Sequence, residues 1–141
     1  MNENGNALHG GPEGISQKNW QVEELESDRV IFSVQTLDGE SGLPGPLEIK
    51  VSYSIQNDGA LKIEMSAESE KLTFCNPAFH GYWCLNNEGL GRHKLTIHAD
   101  HFLPTNEALI PTGEIQSVAG TPYDLREPKA LPADISLDTN F

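Results

Sequence analysis

From Leu47 to Ile55 (Leu47-Glu48-Ile49-Lys50-Val51-Ser52-Tyr53-Ser54-Ile55) every odd position is apolar or aromatic and every even one is polar. This is the two-residue period of a strand with one buried face; a helix would scatter the same positions around its circumference. After Asn57-Asp58-Gly59, residues that tolerate positive φ, the alternation resumes in Leu61-Lys62-Ile63-Glu64-Met65-Ser66-Ala67, so the two segments predict a hairpin. Upstream, Arg29-Val30-Ile31-Phe32-Ser33-Val34-Gln35-Thr36-Leu37 is β-branched and aromatic and ends at Asp38-Gly39. Gly42-Leu43-Pro44-Gly45-Pro46 follows, which no helix accommodates, so a strand and a loop are expected there. Briefer alternation in Trp20-Gln21-Val22-Glu23 and Leu95-Thr96-Ile97-His98-Ala99 predicts two more strands. No window sustains a 3.6-residue period, and short strands between turn signals predict an all-β, antiparallel β-sandwich. From Phe102 onward, through Pro104, Pro111, Pro122, Pro128 and Pro132, the chain reads as loop-rich, the kind of stretch that skirts a site or wraps a scaffold. Neither a first nor a closing strand is evident, so both ends read as cut from something longer and the sandwich as incomplete, a single segment over residues 1–141.

Composition narrows the functional classes. Among 141 residues, 21 are Asp or Glu and 9 are Lys or Arg, a net charge of −12. Binding phosphates requires clustered cations to release counterions, so neither nucleic acid nor an anionic membrane is an expected partner. No apolar stretch approaches the ~20 residues that cross a bilayer. Met1-Asn2-Glu3-Asn4-Gly5 has neither a positive nor an apolar leader region, which leads to the expectation of a cytoplasmic protein without a secretory signal. Cys75 and Cys84 form no CxxC and are expected to be small buried hydrophobes.

Chemistry is thinly signposted. His98-Ala99-Asp100-His101 is the nearest thing to a metal-ligand cluster, but on a strand the two imidazoles would point to opposite faces and no second ligand pair exists, so no metal site is expected. Ser16, Ser41 and Ser117 lack a nucleophile-elbow context. Leu8-His9-Gly10-Gly11-Pro12-Glu13-Gly14 does not open a helix as a phosphate-cradling loop would, yet it holds a histidine in a tight bend whose glycines let a ligand approach closely. In Asn76-Pro77-Ala78-Phe79-His80-Gly81-Tyr82-Trp83-Cys84-Leu85, His80 sits among aromatic rings. Such a segment offers apolar faces for a sugar ring and donors for its hydroxyls, although a histidine bonded to backbone would read the same way.

These blocks resemble a known family. Asn6-Ala7-Leu8-His9-Gly10-Gly11-Pro12-Glu13-Gly14 with Trp20, Asp38-Gly39-Glu40-Ser41-Gly42-Leu43-Pro44-Gly45, and His80-Gly81-Tyr82-Trp83-Cys84-Leu85 follow, in order and spacing, blocks of the aldose 1-epimerase (galactose mutarotase) family. So do Ala99-Asp100-His101-Phe102-Leu103-Pro104, Ile110-Pro111-Thr112-Gly113 and Gly120-Thr121-Pro122-Tyr123-Asp124-Leu125-Arg126, while Leu137-Asp138-Thr139-Asn140-Phe141 resembles a further family block after a shorter spacer and with Thr139 in place of its histidine. The resemblance implies a galactose mutarotase-like supersandwich and cofactor-free interconversion of the α and β anomers of hexoses such as galactose and glucose. It implies that His80 is the general acid, Tyr82 a sugar contact, His9 a partner of the reacting end and Asp138 an acceptor for distal hydroxyls. The family's arginine precedes the His9 block and its glutamate base follows the Asp138 block, so no residue here takes either role, and activity is expected to be impaired. Where the family has Thr-Asn before the acid and Asn after it, this chain has Ala78-Phe79 and Cys84. That departure favours the rival reading, a noncatalytic carbohydrate-binding or regulatory module. An incomplete sandwich also predicts self-association through exposed sheet edges.

Overall fold

In the computed structural model, residues 5–131 and 137–141 are described; the leader expectation for residues 1–4 and the Pro132 end of the loop-rich stretch lie outside them. The chain divides into two compact units, Met1–Phe79 and His80–Phe141. Among the described residues there is no α-helix, only three-residue 3-10 turns such as Leu8–Gly10, Ile15–Gln17 and Glu40–Gly42.

The first unit is built on one antiparallel sheet of four strands, β1 (Gln21–Leu25), β2 (Arg29–Thr36), β3 (Leu47–Ile55) and β4 (Leu61–Glu68), in sequential order. Register explains the alternation: Val34 lies opposite Ile49, and Phe32 opposite Val51, while β4 sets Ala67 and Met65 against those same two β3 residues. Val34, Ile49 and Val51 are buried, and Ile15, Trp20, Tyr53, Ile63 and Met65 pack around them. The predicted hairpin closes on a positive-φ Gly59, with the Gly59 amide bonded to the Gln56 carbonyl at 2.8 Å and the Ala60 amide to the Asp58 carboxylate at 3.0 Å. β1 carries a bulge between Val22 and Glu24, and Glu23, within it, accepts a hydrogen bond from the buried Ser33 hydroxyl on β2.

The second unit pairs β5 (Lys94–Leu95) with β8 (Lys129–Ala130) and β6 (His101–Phe102) with β7 (Gln116–Ser117). Its core is small: Phe102, Val118 and Leu125 are buried, and the Phe102 and Tyr123 rings lie 4.6 Å apart. Two expectations need correction. The strand expected over Leu95–Ala99 is confined to its first residue, because the partner β8 is two residues long and the later amides bond elsewhere, Ile97 to Leu125 and Ala99 back to Ile97. Cys75 and Cys84 are exposed rather than buried, since both lie in segments without regular secondary structure that no sheet face covers.

Candidate active site

The His9 bend is made by the backbone. His9 occupies the left-handed region (φ 52°), Gly10 and Gly11 follow at φ 83° and 78°, and the turn closes through the Gly11 amide on the Leu8 carbonyl at 2.9 Å. Left-handed backbone favours glycine on both following positions. Gly14 serves differently: its φ is −58°, but a Cβ there would collide with the His9 carbonyl oxygen and crowd the Gly11 carbonyl at 3.3 Å. Successive turns carry the bend to the sheet, Gly14 amide to Gly11 carbonyl, Gln17 amide to Gly14 carbonyl, and the Trp20 indole N–H to the Ile15 carbonyl at 3.0 Å. Gly14→Ala is therefore expected to displace His9 while leaving β2–β4 formed. Amide chemical shifts should change over residues 8–17 and stay in place over 47–68; unchanged shifts at His9 would disprove the packing role.

A second loop, residues 38–45, is clamped against the first. Glu40 pairs with Lys18 and accepts the Leu37 amide at 2.8 Å, while Asp38 pairs with Lys71 and accepts the Gly45 amide at 2.7 Å. These partners hold both carboxyls below the usual carboxylate range, Lys71 being the main cause for Asp38 and Lys18 for Glu40. A carboxylate whose folded pKa lies below its unfolded one contributes stability above the unfolded value and loses it as pH falls through the folded one. The melting midpoint is thus expected to fall below about pH 4, and Glu40→Gln to flatten that acid limb. An acid limb of the same slope in the variant would exclude this pair as its source.

In the second unit, His80 and Tyr82 are brought together, with ring centroids 5.3 Å apart and planes inclined by 34°. Tyr82 and Trp83 are exposed, so aromatic surface is available to a ligand beside the imidazole. Cys84 is used locally, its thiol donating to the Asn86 carbonyl at 2.9 Å. His93 is a structural histidine: its Nε2 accepts the Leu85 amide at 3.1 Å, which leaves Nδ1 as the donor to the Gly89 carbonyl at 3.1 Å. Asp138 is exposed, on a terminal segment tied to the loop-rich stretch by the Leu103 amide on the Asn140 carbonyl at 2.9 Å.

His80, Tyr82 and Asp138 thus belong to one unit and His9 to the other. Sequence reasoning did not foresee the ion pairs that support these segments. Arg126 forks onto Asp124 (2.8 and 2.9 Å) and reaches Asp100 at 2.9 Å, joining two of the sequence blocks. Asp124 is held below the usual carboxylate range chiefly by that guanidinium, and Arg126 is raised chiefly by Asp124. The sequence signal was only an Asp two positions before an Arg, which says nothing of Asp100, 26 residues away. Among the described residues no three His, Cys, Asp or Glu side chains are grouped to hold a metal ion, His98 and His101 included.

Comparison with known proteins gives these blocks a context. The family model described as aldose 1-epimerase matches residues 1–141. The chain is 42% identical over 134 residues to a galactose mutarotase of Bos taurus and 36% identical over 135 residues to an aldose 1-epimerase of Escherichia coli. Those matches cover 93% and 94% of this chain but 39% of each relative, so the chain spans about two-fifths of their length. Among solved structures, an aldose epimerase homologue from C. elegans superposes with a TM-score of 0.85 at 34% identity, covering 89% of this chain and 39% of that one. A galactose 1-epimerase from Lactobacillus acidophilus gives 0.81 at 32% identity, with 92% and 40% covered.

Proposed function

The chain belongs to the aldose 1-epimerase family, and from that premise we propose that it carries the acid side of a hexose mutarotation site, acting on sugars such as galactose and glucose. Anomers interconvert when the ring oxygen gains a proton as the C1 hydroxyl loses one, the ring opens, the C1–C2 bond rotates, and closure reverses the proton movements. His80 is assigned the proton delivered to the ring oxygen, a task suited to an imidazole, which can both hold and release a proton. Tyr82 is assigned a contact with the sugar, His9 the reacting end and Asp138 the distal hydroxyls. No residue of this chain is assigned the base, so turnover by the chain alone is expected at least about 100-fold below that of a full-length relative. The observation that carries the reading is the His80–Tyr82 ring pair in a chain that the aldose 1-epimerase family model matches over residues 1–141.

The supporting surroundings agree with that assignment. The exposed Tyr82 and Trp83 rings offer faces to a pyranose, and the net charge of −12 favours a neutral sugar over a phosphorylated one or nucleic acid. Free thiols at Cys75 and Cys84 suit a reducing compartment, and the cytoplasm is part of the same proposal. No helix among the described residues is long and apolar enough to cross a membrane. The second reading, a noncatalytic sugar-binding module, is favoured by one observation: Cys84, at the position of a family asparagine, turns its thiol to its own loop at Asn86. Polarimetry with freshly dissolved α-galactose decides between them. Relaxation faster than in buffer supports the isomerase, and a buffer rate accompanied by calorimetric sugar binding supports the module.

A further inference from the structure

The His9 bend lies outside the core: none of Leu8–Gly10 is buried. It reaches the core through the turn at Ile15–Gln17, whose Ile15 carbonyl takes both the Lys18 amide at 3.3 Å and the Trp20 indole N–H at 3.0 Å. Lys18 therefore leaves the same turn that bears on His9 through Gly14. Its ammonium pairs with Glu40 at 2.5 Å. That carboxylate is oriented by its own loop: one oxygen accepts the Leu37 amide at 2.8 Å, which leaves the other turned to Lys18, and the Leu43 amide closes on the Glu40 carbonyl at 3.0 Å. Asp38, in the same loop, is tied to Lys71 and to the Gly45 amide. The pair is also the most shielded among the described residues. The Lys18 and Glu40 side chains are 27% and 13% exposed, whereas the cation of every other ion pair is at least 40% exposed. An open surface pair is screened by water and fixes little; a shielded one whose carboxylate is already oriented holds a geometry.

We propose that Lys18 is a positioning residue for His9, with Glu40 as its anchor. The pair struts the 38–45 loop against the turn that carries the bend, and so sets where the imidazole meets the reacting end of the sugar. The proposal rests on the role given to His9 and extends it to two residues that act through that histidine. The physical case is one of constraint. A residue other than glycine stays in the left-handed region only when its surroundings over-determine it, and His9 at φ 52° is such a residue. Gly14 and Trp20 fix the bend along the chain, and Glu40 fixes it from a separate loop.

The test uses the full 141-residue chain and reads three things: the NMR signal of the His9 imidazole Cε1–H, the melting midpoint, and galactose affinity by calorimetry. Lys18→Met keeps the aliphatic stem without the charge, and Glu40→Gln keeps an acceptor for the Leu37 amide. Both are expected to displace the His9 signal in the same direction, the double variant K18M/E40Q no further than either single one, while amide shifts over 47–68 stay in place. Lys18→Arg, which preserves the pair, should retain the original signal. Galactose affinity should fall at least about fivefold in Lys18→Met and stay within about twofold in Lys18→Arg, and in a His9→Ala background Lys18→Met should cost no more than about twofold. If Lys18→Met scatters the 47–68 shifts because the sheet no longer forms, Glu40→Gln against Lys18→Arg carries the same comparison. A melting midpoint that falls while the His9 signal stays put would reduce the pair to a stabilising contact and overturn the proposal. So would displacements that add in the double variant. Galactose affinity no better in the unaltered chain than in His9→Ala would defeat the role given to His9 and leave the positioning, read from the imidazole, standing; affinity lost in His9→Ala but kept in Lys18→Met would do the reverse.

Discussion

Replacing His80 with alanine is expected to remove roughly 100- to 10,000-fold of the protein-dependent rate at which α-galactose relaxes, the contribution of one positioned general acid–base group. The size follows from the chemistry. A hemiacetal ring oxygen is a poor leaving group until protonated, and a proton supplied from a fixed imidazole avoids the entropy of finding one in solution. His80→Gln isolates the proton from the contact, because glutamine keeps a donor but cannot titrate. It should be as slow as His80→Ala, with sugar binding by calorimetry little changed. A rate that survives in the glutamine variant would move proton delivery to another group. Tyr82→Ala removes the ring 5.3 Å from the imidazole, and a weaker sugar affinity with a smaller loss of rate is the outcome that fits a contact residue.

Ile49→Ala is expected to cost the first unit about 2–5 kcal/mol, the range for deleting a fully packed aliphatic side chain and leaving a cavity. Ile49 is 2% exposed, opposite Val34 on β2 and Ala67 on β4, and buried with Val51. Both neighbouring strands lose packing partners at once, and a paired backbone cannot collapse to fill the gap. For a chain of this size the melting midpoint should drop by roughly 5–15 °C. Leu72→Ala, at a residue 95% exposed, provides the contrast and should change stability by less than about 0.5 kcal/mol. A cost below about 1 kcal/mol at Ile49 would mean that the sheet face is not the main source of stability in that unit.

The two variants address different levels of the molecule. Ile49 tests the scaffold that holds Ile15 and Trp20, and through them the His9 bend. His80 tests chemistry on a segment with no strand of its own, beside the Tyr82 ring. That difference explains how far each was legible. The β2, β3 and β4 strands follow from period-two alternation, and their observed spans agree with it to within a residue or so. The His9 bend is legible in the glycines beside it, but the need for Gly14 is not, because its backbone is ordinary and only the nearness of the His9 carbonyl excludes a side chain. The Leu95–Ala99 alternation misleads because a strand requires a partner of its own length, and β8 offers two residues.

By itself the sequence determined the strand periodicity, the turn at Asn57-Asp58-Gly59, the family blocks and the acidic balance, since each is set by neighbouring residues or by simple counting. Only the tertiary structure decided which charges meet, Lys18 with Glu40 and Arg126 with Asp100 and Asp124, that both cysteines face solvent, and that, among the described residues, β1 is a bulged edge of the sheet and β4 the opposite edge. The reason is physical: side-chain direction along a strand is a local property of the backbone, whereas burial, ion pairing and edge exposure depend on what distant segments bring alongside.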